Sequence, residues 1–271
     1  MKIIFNSITF ENRPTILHDN TVGLGTPPAQ SVTQKTIYQD GSKFLRSFYD
    51  NRKITFMFTV TAASNAAMNT VKNNLYNKLN PKQGELEMTV ELNQTLYITA
   101  VCDGIVPLSG ESRGNYWQTY QISFTCHDPF FHDAESSQLF TPFTGGFSFP
   151  FSFPFSLGTP AASQTLTNAG DTSTPVRIVL VGSLKEAIIK NETTEESIYL
   201  TEDIDPGETV TIDTRLKTVT SSVKGNVFSY ISSDTTFWEL QPGNNTVSYK
   251  TSTNILGSSC TIYWNDRYTG L

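Results

Sequence analysis

Residues 136–170 carry no charged side chain, although charge is spread through the chain on both sides of them. One continuous globular fold does not readily absorb so long a neutral stretch, so it marks a boundary between two bodies. Within it lies FSFPFSFPFS, residues 147–156. Period-two alternation places Phe147, Phe149, Phe151, Phe153 and Phe155 on one face of an extended chain. Pro150 and Pro154 share parity, so both missing N–H donors fall on one edge, as suits a strand that pairs on one side only. The segment reads as an edge strand that opens the second domain with its phenylalanines buried. No basic or amphipathic-helical flank supports membrane insertion.

The expected domains are therefore 1–135 and 136–271. The first half contains one well-signalled helix, about 64–80: Ser64 caps it, Met68, Val71, Leu75 and Leu79 recur at helical spacing, and Pro81 and Gly84 stop it. Strands are expected at 54–60, 86–92, 96–105 and 117–126, the last two joined by the polar loop PLSGESRGNY. Beyond Asp171 the pattern is purely β, with strands at 176–182, 187–192, 197–201, 209–213, 226–231, 237–240, 245–250 and 260–264, separated by turns such as DPGE and QPGNN. Short strands at this spacing suggest a sandwich. The fold class is mainly β with one notable helix.

Composition narrows the function. The net charge is −6 and neither half holds a basic run, which argues against tight phosphate binding. No apolar stretch is long enough to cross a membrane as a helix, and MKIIFNSITFENRP is too short and too soon charged for a signal peptide. Synthesis in a cytoplasm with reduced thiols is the expectation, and Cys102, Cys126 and Cys260 show no CxxC spacing.

Candidate chemistry is sparse. CHDPFFHD, residues 126–133, gathers Cys126, His127, Asp128, His132 and Asp133, but zinc needs further ligands at matching spacing, and Asp128–Pro129 initiates a turn. Adjacent Cys126 and His127 face opposite sides of a strand and cannot form a nucleophile–base pair. The acidic runs at 192–197 and 202–208 lack EF-hand spacing. With no phosphate loop, nucleophile elbow or HExxH, neither an enzyme nor a cofactor is expected. Trp238, Trp264, Tyr263 and Tyr268 are the aromatics that could stack on a sugar, although strand aromatics usually sit in cores. In the loop at 107–116, Glu111 and Arg113 have no local partner and are candidates for contacts between subunits.

Several stretches, taken in order, resemble the distal tail proteins of long-tailed phages. YQDGSKFLRSFYDNRKITFMFTV (38–60) is similar to that family's Asp-Gly loop leading to an Arg-started strand. FTCHDPFFHD (124–133) resembles the stretch that closes its first domain. TPVRIVLVGSLKEAIIKNETT, ETVTIDTRLKTVT, FWELQPGNNTVSY and IYWNDRYTGL resemble successive motifs of its second. The resemblance implies a split-barrel-like α+β ring domain followed by a galectin-like β-sandwich, in a virion protein of the tail tip. It implies a homo-hexamer that joins the tube protein to the tail-associated hub and receptor-binding baseplate proteins, with DNA passing through unbound. The alternative reading is a module that recognises cell-wall saccharide through the sandwich.

Overall fold

The structure, a computed structural model, describes residues 1–11, 14–18, 20–38, 40–109, 114, 116–140, 161–252 and 258–271. The Phe/Pro repeat at 147–156, with its expected edge-strand burial, lies outside the described residues. So do Glu111 and Arg113. The chain divides into two compact units: Met1–Asp133 with Tyr268–Leu271, and Ala134–Arg267. The first unit therefore takes back four residues that the sequence assigns to the second domain.

In the first unit, β1 (Lys2–Phe5) and β2 (Ile8–Phe10) form a hairpin, and β3 (Thr15–Leu17) follows. Next come β4 (Ala29–Gln34), β5 (Lys43–Tyr49) and β6 (Arg52–Thr61). The helix α1 (Asn65–Lys78) precedes β7 (Leu86–Glu91), β8 (Thr95–Pro107), β9 (Trp117–Cys126) and β10 (Phe131–His132). The main sheet runs β2-β1-β7-β8-β9-β6-β3. Its pairings are antiparallel.

The sheet curls until its two ends nearly meet. Glu11 N–H donates to the Thr15 carbonyl at 3.2 Å, and the Thr15 hydroxyl bonds the Thr9 carbonyl. Phe10, at one end, lies 5.1 Å from the Phe56 ring and 4.9 Å from that of Phe58, near the other. Alternation along β6 turns Ile54, Phe56, Phe58 and Val60 inward, facing Tyr120, Ile122 and Phe124 of β9. Burying aromatic rings on one face is what makes these strands legible as strands.

The helix forms where its caps predict. Ser64 Oγ accepts from Ala67 N–H at 3.2 Å, and Met68, Leu75 and Leu79 are buried against the sheet. Asn80 caps a following 3-10 turn, Pro81–Gln83, and Gly84 ends it at φ 79°.

In the second unit, β11 (Ser136–Phe140), β12 (Ala161–Asn168), β13 (Thr174–Val181), β14 (Ile188–Asn191) and β15 (Glu196–Tyr199) come first. They are followed by β16 (Thr209–Asp213), β17 (Thr218–Ser221), β18 (Gly225–Asn226), β19 (Glu239–Leu240), β20 (Gly243–Lys250) and β21 (Ser259–Trp264). One sheet runs β11-β21-β13-β16-β17-β18 and the other β12-β20-β14-β15. Ile178, Leu180, Ile212 and Ile262 from the first meet Ile189, Ile198, Val247 and Tyr249 from the second in one core. This is a sandwich, its interior made by period-two alternation on facing strands.

The expected strand at 226–231 is corrected. After β18 the chain makes a 3-10 turn, Phe228–Tyr230, and the Asn226 side chain accepts from Phe228 N–H at 3.0 Å. A local Asx turn there outcompetes β-propensity.

Candidate assembly site

The least ordinary element is the ribbon β4–β5. All of its residues are exposed on both faces, so it projects from the body of the first unit. Its register shifts between Val32 and Thr33. A two-stranded ribbon is marginal by itself, so something must fix it. At its base, Asp50 N–H donates to the Pro28 carbonyl at 2.7 Å and Gln30 Nε2 to the Asp50 carboxylate at 2.6 Å. Tyr49 meets Phe130 edge-on at 5.6 Å. The ribbon carries Phe44 (60% exposed) and Phe48 (50% exposed), with Leu45 and Val32 also open and Ile37 near the tip. Arg46 lies 4.6 Å above the Phe48 ring. Lys35, Lys43 and Arg46 against Asp40 make the arm cationic on a chain of net charge −6.

Immediately beside the base sits Arg52, first residue of β6 and only 1% exposed. Its Nε donates to the Pro129 carbonyl at 2.6 Å, Nη1 to Gly23 at 2.7 Å and also to Gly25, and Nη2 to Thr269 at 2.6 Å. The guanidinium stacks 4.5 Å from the Phe131 ring. Its partners are main-chain oxygens and a ring face, not carboxylates. The planar five-donor fork suits this task, which a lysine ammonium could not match. Burial pushes the Arg52 pKa down, and convergent carbonyl dipoles stand in for a counter-ion. Gly23 is needed here: at φ +95° a Cβ would stand 2.0 Å from the Lys53 carbonyl oxygen.

The reactive-looking cluster at 126–133 is not drawn into one site. Cys126 is buried, and burial pushes its thiol up to about 12. His127 Nδ1 is 2.7 Å from Glu85, whereas His132 stacks on Tyr97 at 5.7 Å. Among the described residues, no three of His, Cys, Asp and Glu are placed to hold a metal ion together.

The acidic runs are likewise engaged locally. Glu192 meets Lys190 at 2.5 Å and the Ser248 hydroxyl at 2.6 Å. Buried Glu208 accepts from the Ser221 hydroxyl at 2.6 Å and from Lys224 at 3.3 Å. The Ser221 bond, reinforced by the Asp205 N–H and Lys224, holds the Glu208 pKa below its ordinary 4.5. A depressed carboxyl stabilises the fold above its unfolded pKa and loses that contribution as pH falls through the folded value. The second unit should accordingly weaken as pH drops below about 5, and Ser221→Ala should flatten that dependence; unfolding midpoints across pH check it.

The sugar-stacking candidates separate. Trp238 is 1% exposed and its Nε1–H donates to the Ile189 carbonyl at 3.3 Å, so neither ring face is open. Trp264 is also buried, with Nε1–H on Asp266 at 3.2 Å. Tyr268 is partly buried, packed against the first unit's core. Tyr263 is covered on one face by Arg177 at 4.2 Å. The ribbon and the Arg52 cluster escaped sequence reasoning; the one available signal was an arginine opening a strongly alternating strand.

Comparison with known proteins gives two family matches. Residues 5–126 match the phage tail protein RIFT-related domain, and residues 169–268 match the siphovirus-type tail component, C-terminal domain. Among solved structures, the chain is similar to the Dit (gp 19.1) protein of SPP1, described as a paradigm of the hub adsorption apparatus in phages infecting Gram-positive hosts. That match has 11% identity, covers 98% of each chain and gives a TM-score of 0.73. The phage P2 baseplate in its activated conformation with Ca is similar at 9% identity over 97% of this chain and 96% of that one, with a TM-score of 0.52. Its Sr counterpart gives 10% identity, the same coverage and the same score. No curated protein matches. With one tail-domain match on each unit, spanning the ladder that carries Arg52 and the sandwich that holds Trp238, the chain belongs to the distal tail protein family of siphovirus-type phages.

Proposed function

We propose that this distal tail protein, a structural component of the phage tail and baseplate, works as a hexameric hub. In this reading six copies form a ring that continues the tail tube, meets the tail-associated hub and receptor-binding proteins, and lets DNA pass. The observation that carries it is the β4–β5 ribbon, which leaves Phe44, Leu45 and Phe48 half or more exposed. Apolar surface of this kind marks an interaction site. Its cationic character on an acidic chain favours a second copy as the occupant. Covering Phe44, Leu45 and Phe48 would contribute about 1.5–3 kcal/mol per fully buried side chain. A non-basic chain also suits a channel that must not retain DNA.

Sedimentation of the purified chain, alone and with its tail partners, tests this. A ring is expected, and the Phe44→Ser/Phe48→Ser pair should reduce it to folded monomers. Glu111→Ala with Arg113→Ala should weaken it by a smaller amount. A chain that stays monomeric even beside its partners, or a ring indifferent to the Phe44/Phe48 change, would reject the proposal.

A further inference from the structure

We infer that the first unit carries a seat for a short peptide segment, and that residues 268–271 occupy it as a strap governing order at the base of the ribbon. Four observations converge. Tyr268 packs against the first unit's core. Arg52 Nη2 donates to the Thr269 carbonyl at 2.6 Å. Leu271 N–H donates to the Leu24 carbonyl at 3.0 Å. Gly270 lies so close to the Gly23–Gly25 segment that a Cβ would sit 3.2 Å from the Gly25 carbonyl carbon and 3.3 Å from the Leu24 oxygen.

Recognition is mostly through main chain, with an aromatic anchor first and a glycine third. That defines the ligand class: a short uncharged peptide of the form Tyr-x-Gly-x. The seat itself is built from Arg52 and the 23–25 segment, and Arg52 also bonds Gly23, Gly25 and Pro129. The strap thus supplies one of the oxygens that hold the guanidinium in place. The guanidinium in turn holds the segment that leads into β4. Removing the strap leaves an Nη2 donor of a buried cation without its partner, which loosens the whole cluster.

The local reporters are Val22 N–H, bonded to the Thr55 carbonyl at 2.8 Å, and Asp50 N–H, bonded to Pro28. In a chain lacking residues 268–271, amide exchange at these positions should rise at least about tenfold, while β9 and the second unit stay protected. Adding N-acetyl-Tyr-Thr-Gly-Leu-amide in excess should restore protection, and the same peptide with valine in place of glycine should not. Unchanged exchange in the shortened chain, or equal rescue by the valine peptide, would overturn the inference. If the shortened chain loses protection across the first unit, the otherwise intact Gly270→Val chain decides. A rise confined to residues 22–30 and 49–53 supports the strap, and wild-type exchange refutes it. These readouts are local, so they hold whether or not copies assemble through the ribbon.

Discussion

Arg52→Ala should lower the stability of the first unit by about 3–5 kcal/mol, a large share of the total for a domain of this size. The substitution removes one cation and strands the carbonyls of Pro129, Gly23, Gly25 and Thr269, together with the ring contact to Phe131. Each buried oxygen left unmet costs about 1–3 kcal/mol unless water reaches it. Arg52→Lys should recover only part of the loss, because an ammonium is a compact point donor and cannot reach four oxygens that are met by three separate guanidinium nitrogens. Urea titration followed by hydrogen exchange, which reads the two units separately, gives the measurement. A loss below about 1 kcal/mol would mean that water replaces the guanidinium and that the cluster is not a structural anchor.

Trp238→Ala should cost the second unit about 3–5 kcal/mol, the usual range for deleting a fully buried large aromatic. The ring lies in the core shared by the two sheets, and its indole N–H meets the Ile189 carbonyl of β14. Trp238→Phe separates the two contributions: it keeps most of the packing but leaves that carbonyl without its indole partner, at about 1–2 kcal/mol. Unfolding of the intact chain, read from exchange in β13 and β20, provides the test. If alanine at 238 left stability unchanged, the ring would have to be accessible, and a stacking role for it would become tenable.

How much of this was readable in advance follows from how each element buries its residues. Strands β6, β8, β9, β13 and β16 bury one face against a core, so their alternation is written plainly in stretches such as ITFMFTV and VRIVLVG. The helix was readable because Ser64 and the Pro81 turn bound its apolar spacing. The ribbon buries neither face, so Phe44, Leu45 and Phe48 follow no period that a pattern could detect. The β1–β2 hairpin turns on Asn6 and Ser7, both at positive φ (46° and 61°). That is a type I′ geometry without the Asn-Gly pair that usually announces it. The anchoring role of Arg52 was hidden for a different reason: its acceptors lie 27 to 217 residues away along the chain, and all are main-chain atoms that no residue type encodes.

The return of residues 268–271 to the first unit has a consequence for how such proteins diversify. In sequence, the second unit is an insertion into the first rather than an appendage to it. Its entry and exit strands are paired neighbours, with Ser136 opposite Trp264 in the β11–β21 ladder. Paired strands lie only about 5 Å apart, so the insertion leaves the chain almost where it entered. Any other module whose first and last strands adjoin could be spliced at the same two points, leaving Arg52 and its ring of carbonyls intact. The fold thereby keeps the residues that hold Arg52 outside the stretch that such an exchange would replace.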